Sequence, residues 1–260
     1  MAISLLGGCT HSPVTGPQPD NATVNVRVMT WNIHHGEGLD GRVDLDRIAA
    51  LIKEVNPDLV ALQEVDRGTT RTARRDLPSE LAALTGLTPV FSRNIVFQGG
   101  DYGNATLSRW PILTSTNHHY LMLREGEQRG LLQTTIDIRG HHLSFWNTHI
   151  DHRPDNSERL SNVEEIRSLL TGSPHPVILA GDFNDFPDRP VYVNLSAWFR
   201  DAWTEGGQGD GATFPGRDNP RRIDYLWLDR RGDFTVTHAQ VLPSDASDHL
   251  PLVVDLIWRP

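Results

Sequence analysis

An α/β fold in which sheet packs on sheet with helices outside is predicted by three features of the chain. Extended patterns outnumber helical ones, several extended stretches follow one another in hairpin-like succession, and from Val24 onward no long linker or fixed-period repeat divides the chain. The first strand is read from Val24, Val26 and Val28, which alternate with Asn25, Arg27 and Met29 and run into Trp31-Asn32. Asp44 then caps a helix whose apolar face is Leu45, Ile48, Ala49, Ile52 and Val55, and Pro57 closes it. Leu59-Val60-Ala61-Leu62 is a short buried strand, with Glu64 just past its end. Leu81–Leu84 is a short helical stretch stopped by Gly86. Strands follow at Ala105–Ser108, Leu131–Ile138 and Leu143–Thr148, then a helix at Ser157–Leu170. Val177–Ala180, Ile223–Leu228, Phe234–Val241 and Leu252–Ile257 complete the strands.

The 260 residues carry 24 Lys+Arg against 33 Asp+Glu, a formal charge of −9. That balance counts against a protein that coats nucleic acid by charge alone, though a nuclease needs only a local basic rim. Lys53 is the single lysine, so nearly every positive charge is an arginine. The only cysteine, Cys9, excludes an internal disulfide and a cysteine zinc cluster. It ends Leu6-Gly7-Gly8-Cys9, which resembles the lipobox of bacterial lipoproteins, and Thr10 to Thr23 is rich in Pro, Ser, Thr, Asn and Gly. Residues 1–23 are therefore expected to be a lipobox-like N-terminus and flexible tether, and residues 24–260 one domain. A lipidated Cys9 would place the protein in the bacterial cell envelope or periplasm as a membrane-tethered monomer; without lipidation it would be soluble.

Polar residues fall at or just beyond strand ends: Asn32, Glu64, His149, Asp182 and the Asp248-His249 pair. Strand termini at one sheet edge deliver side chains to a common crevice. Singly, Trp31-Asn32-Ile33, Gln63-Glu64, Thr148-His149, Gly181-Asp182-Phe183-Asn184, Ile223-Asp224-Tyr225 and Ser247-Asp248-His249 are weak signals, since such residues are commonly turn formers or solvated. Their joint occurrence, each after an apolar run, suits phosphate-ester hydrolysis. A hard cation takes oxygen ligands and is typically held by one or two carboxylates plus substrate phosphate. Glu64 is the expected anchor, Asn32 offers a carbonyl oxygen and Asp248 a second carboxylate. Asp182 is placed to orient and deprotonate water, with Asn184 holding water or phosphate from the side. His149 and His249 supply positive charge or hydrogen bonds to the transition state, and Asp224 pairs with one of them.

As a set, these segments are similar to those of the endonuclease/exonuclease/phosphatase superfamily, the deoxyribonuclease I-like fold, from about Val24 to Trp258. The resemblance covers Asn32, Glu64, His149, Asp182, Asn184, Asp224, Asp248 and His249. It implies a four-layered α/β sandwich of two packed mixed β-sheets, Asp224 paired to His249, and Mg²⁺ or Mn²⁺ as cofactor, with Ca²⁺ an alternative. Asp185 departs from the family pattern by adding a negative charge beside the Gly-Asp-Phe-Asn motif, and Tyr102-Gly103-Asn104-Ala105 resembles bacterial members more than the named nucleases.

Asn104 is expected to touch the scissile phosphate. Arg67, Arg71, Arg74 and Arg75 after Glu64, and Arg217, Arg221 and Arg222 before Asp224, are expected to rim the cleft, with Arg71 and Arg222 as substrate-binding residues. Gly36-Glu37-Gly38-Leu39-Asp40-Gly41 matches Gly-x-Gly-x-x-Gly but reads as a flexible loop, because Glu37 and Asp40 would repel a pyrophosphate. The His-His pairs at His34, His118 and His141 lack ligand spacing on a helix and read as coincidence. The expected activity is metal-dependent phosphodiester hydrolysis on a lipid head group, a nucleotide or DNA. A DNA endonuclease or exonuclease is the alternative enzyme, and a non-catalytic binding module the alternative class.

Overall fold

A computed structural model describes residues 23–216 and 219–260. Cys9, the N-terminal tether up to residue 22, and Arg217 lie outside the described residues. The described chain opens with β1 (Val24–Asn32), a 3-10 turn (His34–Gly36), α1 (Leu45–Val55), β2 (Leu59–Arg67), α2 (Leu77–Thr85), β3 (Thr88–Phe97), β4 (Gly100–Ser108) and β5 (Ile112–His119). It continues through β6 (Gly130–Ile138), β7 (His141–His149), α3 (Ser157–Gly172), β8 (Val177–Asp182), α4 (Pro190–Ser196) and β9 (Phe199–Asp201). α5 (Ala202–Gly206), β10 (Asp224–Asp229), β11 (Asp233–Val241) and β12 (Leu252–Arg259) complete it.

The strands form two six-stranded sheets, ordered β11-β12-β1-β2-β4-β3 and β5-β6-β7-β8-β10-β9. In each, one central pair is parallel, β1 with β2 and β7 with β8, and every other pairing is antiparallel. A parallel pair requires a crossover, supplied by α1 in the first sheet and α3 in the second. Both sheets are therefore mixed and share one ordering scheme, with the C-terminal ends of both parallel pairs free to carry loops.

The alternation read in β1 sorts its two faces. Val24, Val26 and Val28 pack with Phe145, Ile178, Leu226 and Val254 between the sheets, whereas Met29 and Trp31 pack with Ile48 and Ile52 of α1. On the far side Val163 and Ile166 of α3 cover Trp146, Leu179 and Trp227. The order helix, sheet, sheet, helix is the four-layered sandwich the sequence predicts. Asp44 caps α1 by accepting from the Asp46 and Arg47 amides, and Asn56 ends it in a left-handed conformation.

Three strands escape the sequence reading, β3, β5 and β9. β3 and β5 are sheet edges; β3 is mostly half-buried and β5 mostly exposed, and neither shows a buried-exposed alternation along its length. The helix read at Leu81–Leu84 begins earlier, at Leu77, where Asp76 accepts from the Ser79 amide and Pro78 occupies the first turn. α4, α5 and β9 are too short to show a period.

Candidate active site

Both parallel pairs end on polar residues, Asn32 on β1 and His149 and Asp182 on β7 and β8, with His149 directly opposite Asp182. Asp224 opens β10 and pairs in register with Asp182. Beneath them a buried polar bridge ties the two sheets: Gln63 donates to Asn147 Oδ1 (2.8 Å), and Asn147 donates to the Leu62 and Ala105 carbonyls (3.0 and 2.8 Å). These bonds tie the two sheets and fix the relative position of the strand ends above them, with Gln63 Oε1 left buried without a partner.

Local backbone devices aim the reactive side chains. Between Leu62 and Val65 the β2–β4 register slips, and Glu64 sits in that bulge with φ 56°. A bulge re-aims a side chain out of the pleat, so Glu64 turns into the cavity although its strand continues to Arg67. Gly181 precedes Asp182 because β7 leaves no room for a side chain: a Cβ there would lie 2.0 Å from the Thr148 carbonyl oxygen. Asn184 takes φ 47°, and its amide donates to Asp182 Oδ1 at 2.9 Å, a turn that asparagine tolerates well.

Asp182 is the hub. It is 1% exposed, and its Oδ2 accepts from Asn32 Nδ2 at 3.1 Å while lying 3.5 Å from His149 Nε2 and 3.7 Å from His249 Nε2. Asn32 Nδ2 also donates to Glu64 Oε1 at 3.0 Å, so one amide joins the two carboxylates. The Asn32 carbonyl was expected to face a cation; instead Oδ1 accepts from the His34 amide at 3.1 Å, which holds the NH₂ group toward the site. His249 Nδ1 lies 2.9 Å from Asp224 Oδ2, and the Asp224 amide donates to Thr213 Oγ1 at 3.1 Å.

Burial favours the neutral form of each ionisable group, and its neighbours decide the result. For Asp182, burial reinforced by the Asp224 charge raises the pKa to about 7, against the His249 charge and the Asn184 and Asn32 hydrogen bonds. Burial pulls His249 down, but Asp224 and Asp182 outweigh it and hold its pKa at about 10. His149 has no such surplus: burial and the nearby Arg129 charge push it well below the usual imidazole range. Its Nε2 lies 3.0 Å from Asn184 Nδ2, which also donates to the Ile150 carbonyl. Of the two parts expected of these histidines, charge or hydrogen bonding, a neutral His149 takes the second by positioning Asn184, and His249 carries the charge.

Glu64, His149, Asp182, Asn184 and His249 line a cavity of about 330 Å³. Arg71 joins them, doubly bonded to Asp66 (2.7 and 2.8 Å) and lying over the Phe97 and Tyr102 rings. Sequence reasoning missed the rest of the wall: Ile95, Phe97, Tyr102, Glu127, Arg129 and His152. Arg129 is 5% exposed, with Nη1 3.1 Å from Glu127, Nη2 3.1 Å from His152 Nδ1, and Nε buried without a partner. A signal existed, since Arg129-Gly130 begins an antiparallel strand whose start is paired with His149. Strand starts of antiparallel neighbours meet the same edge as strand ends.

Three expected site residues are placed elsewhere. Asn104 is buried and donates to the Gly130 carbonyl at 3.3 Å, supporting the cavity wall without lining it. Arg222 is buried in an ion pair with Asp201 (2.6 Å) and lies over Tyr225. Asp248 lines a neighbouring recess with Arg221 and Phe214. Of the other arginines, Arg67 pairs with Asp101, Arg75 with Glu80, and Arg74 binds the Gly68 and Gly99 carbonyls. Rotatable side chains with nearby acids find those acids first, and sequence adjacency to Glu64 or Asp224 does not override that.

The donor set fits a divalent cation. Glu64 and Asp182 share one amide donor beside a common cavity, and Asp224 Oδ1 is buried without a hydrogen bond. Among the described residues two groups have donor atoms mutually within 4.8 Å: Asp182, Asp224 and His249, and, unexpectedly, His34, His35 and Glu64. Asp248 belongs to neither group.

A model of the Endonuclease/Exonuclease/phosphatase family matches residues 29–249. The uncharacterized protein YbhP of Escherichia coli is 26% identical over 245 residues, spanning 88% of this chain and 95% of YbhP. The 5′-tyrosyl-DNA phosphodiesterase of Caenorhabditis elegans is 27% identical over 197 residues, 73% of this chain and 50% of that protein. Among solved structures, the endonuclease/exonuclease/phosphatase from Beutenbergia cavernae superposes with TM-score 0.72 at 29% identity, covering 90% of this chain and 72% of the other.

Proposed function

The chain belongs to the Endonuclease/Exonuclease/phosphatase family, and from that premise we propose that it is a divalent-cation-dependent phosphodiesterase in which Asp182 activates water and the His249–Asp224 pair stabilises charge on the phosphoryl group. The position of Asp182 carries the reading: a buried carboxylate gathered by Asn32, His149, Asn184 and His249 at the floor of an open cavity. A base works best when its pKa is near the operating pH, and a value of about 7 suits proton abstraction from water. As the water oxygen bonds to phosphorus and the ester oxygen departs, Asp182 takes the water proton. His249 stays protonated across neutral pH because its pKa is about 10. It is a preorganised donor where negative charge develops, and Asp224 sets its ring orientation.

Glu64, with Asp182 beside it, would hold Mg²⁺ or Mn²⁺, which when bound polarises a phosphoryl oxygen and steadies the leaving oxygen. The opposite wall favours a compact substrate over duplex DNA. Phe97, Tyr102 and Ile95 offer apolar surface next to Arg71 and Arg129, while Arg67 and Arg75, which a duplex backbone would need, are paired with acids. A small phosphodiester such as a nucleotide or a lipid head group fits this mixture. Similarity to a 5′-tyrosyl-DNA phosphodiesterase supports DNA ends as the second reading.

Turnover of bis(p-nitrophenyl) phosphate with Mg²⁺, Mn²⁺ or Ca²⁺, beside a monoester, plasmid DNA and sphingomyelin, tests this. Asp182→Asn is expected to lower kcat by about 10²–10⁴, and Glu64→Gln or EDTA to abolish turnover. Retention of the rate in Asp182→Asn, or indifference to EDTA, would refute it. Activity on DNA that collapses with added salt, without activity on the small diester, would establish the second reading.

A further inference from the structure

The His34-His35 pair lies outside the chemistry just described, yet it is built toward Glu64. All three residues adopt left-handed backbone, with φ 43°, 46° and 56°. Such conformations cost about 1–3 kcal/mol each for residues other than glycine and persist where their surroundings hold them. Here the hold is visible: the His34 amide donates to Asn32 Oδ1, the Gly36 amide to the Ile33 carbonyl, and the Ile33 amide to the Gln63 carbonyl. The turn is thus anchored on the two strands that carry Asn32 and Glu64, and it brings donor atoms of both imidazoles and the carboxylate within 4.8 Å of one another.

His35 is 5% exposed. Its Nε2 lies 3.4 Å from Glu37 Oε2, while Nδ1 is buried with no hydrogen-bond partner. A carboxylate on one ring nitrogen sets the tautomer and leaves the lone pair on the other, the arrangement common behind metal-bound histidines. A buried ring nitrogen left unsatisfied is otherwise costly.

We infer that His34, His35 and Glu64 form a nitrogen-containing cation site that selects a borderline first-row metal, Mn²⁺ or Zn²⁺, over Mg²⁺. The chemistry is one of ligand type: Mg²⁺ takes oxygen donors and keeps its waters, whereas imidazole suits zinc and its first-row neighbours. The inference rests on the reading of Glu64 as a cation ligand and deepens it by assigning two further ligands and a metal class.

The test is direct binding, independent of turnover. Titration calorimetry of the metal-free protein is expected to give Mn²⁺ and Zn²⁺ affinities that fall at least about tenfold in His34→Gln and in His35→Gln. Mg²⁺ affinity should change by less than about twofold, and Glu64→Gln should weaken all three ions. Thermal melts of the metal-free variants show whether each is folded. Because His35 is buried, a second measurement uses the wild-type chain alone: the Co²⁺-loaded protein should show two hyperfine-shifted, solvent-exchangeable imidazole N–H protons. Unchanged Mn²⁺ and Zn²⁺ affinities in the folded histidine variants, or no shifted imidazole protons, would overturn the inference while leaving phosphodiesterase turnover and its EDTA sensitivity standing. If Glu64→Gln changes neither binding nor turnover, the parent reading fails and this inference with it.

Discussion

Asp224→Asn isolates the charge that keeps His249 protonated. In the folded protein the His249 pKa stands at about 10, against 6.5 for an ordinary imidazole, because Asp224 and Asp182 outweigh the cost of burial. A group whose pKa is raised by folding holds its proton more tightly in the folded state. Its stabilising contribution is complete below pH 6.5 and is lost as pH climbs through the folded value. Between pH 7 and 10 the metal-free wild type should therefore lose stability by about 1.4 kcal/mol per pH unit, roughly 4 kcal/mol across the window. In Asp224→Asn the ring keeps its burial and the Asp182 charge but loses its strongest partner, so its pKa falls toward the ordinary imidazole range and the slope across that window should flatten. The rate above neutral pH should fall as His249 loses its proton, and the alkaline limb of the pH–rate profile should move to lower pH. Urea unfolding at pH 7, 8, 9 and 10, with ¹⁵N NMR of the His249 ring, measures both terms. Equal slopes in the two proteins, or an unmoved alkaline limb, would refute the assignment of His249 as the charged donor.

Arg222→Met should destabilise the fold by about 3–5 kcal/mol, because Asp201 is left buried without its 2.6 Å partner. KM should be unchanged, and a raised KM with unchanged melting temperature would return Arg222 to the substrate. Gly181→Ala places a Cβ against the Thr148 carbonyl in a strand pairing that cannot yield, with an expected cost of about 3 kcal/mol by denaturant unfolding and loss of turnover through displacement of Asp182; wild-type behaviour would show that β7 and β8 can separate locally. For the tether, which we propose from the sequence around Cys9, metabolic labelling with an alkyne fatty acid should mark the wild type and not Cys9→Ser, and the variant should leave the membrane fraction. Equal labelling or equal fractionation would end that proposal.

What could be read from the sequence were the features with a short-range physical cause. The period-two valines of β1 and the Asp44 cap of α1 are local patterns, and both appear where the residues place them. In Gly-Asp-Phe-Asn the turn residue Asn184 answers a local constraint, its left-handed backbone, whereas Gly181 answers a tertiary one, the Thr148 carbonyl on the neighbouring strand. The arginines were not legible, because a guanidinium reaches acids that tertiary contact brings near. Arg222 sits beside Asp224 in the chain and goes to Asp201, whereas Arg129, far from every motif, reaches the cavity. β3 and β5 were missed for a related reason, since edge strands are specified by the neighbour they pair with and only weakly by an apolar face of their own.

Backbone strain gives an independent pointer to the same place. Among the described residues ten other than glycine have positive φ. One of them, Asn56, ends α1 in the usual left-handed cap and is explained by the helix. Four others, His34, His35, Glu64 and Asn184, lie in the turn after β1, in the β2 bulge and in the turn after β8, and none of them ends a helix of more than one turn. Histidine and glutamate gain nothing locally from a left-handed backbone, so the surrounding strands must impose it. The two parallel pairs explain how they can. Each is locked by its crossover helix and by the Gln63–Asn147 bridge, so the residues just beyond the strand ends have fixed anchors on both sides and can be held in conformations a free loop would abandon. Asn184 spends that rigidity on Asp182 and His149, and Glu64 spends it on the Asn32 amide. His34 and His35 are held just as firmly, by the His34 amide on Asn32 Oδ1 and the backbone bonds of the turn, yet His35 Nδ1 is left buried without a partner. That asymmetry is the physical reason for seeking a cation at those two imidazoles.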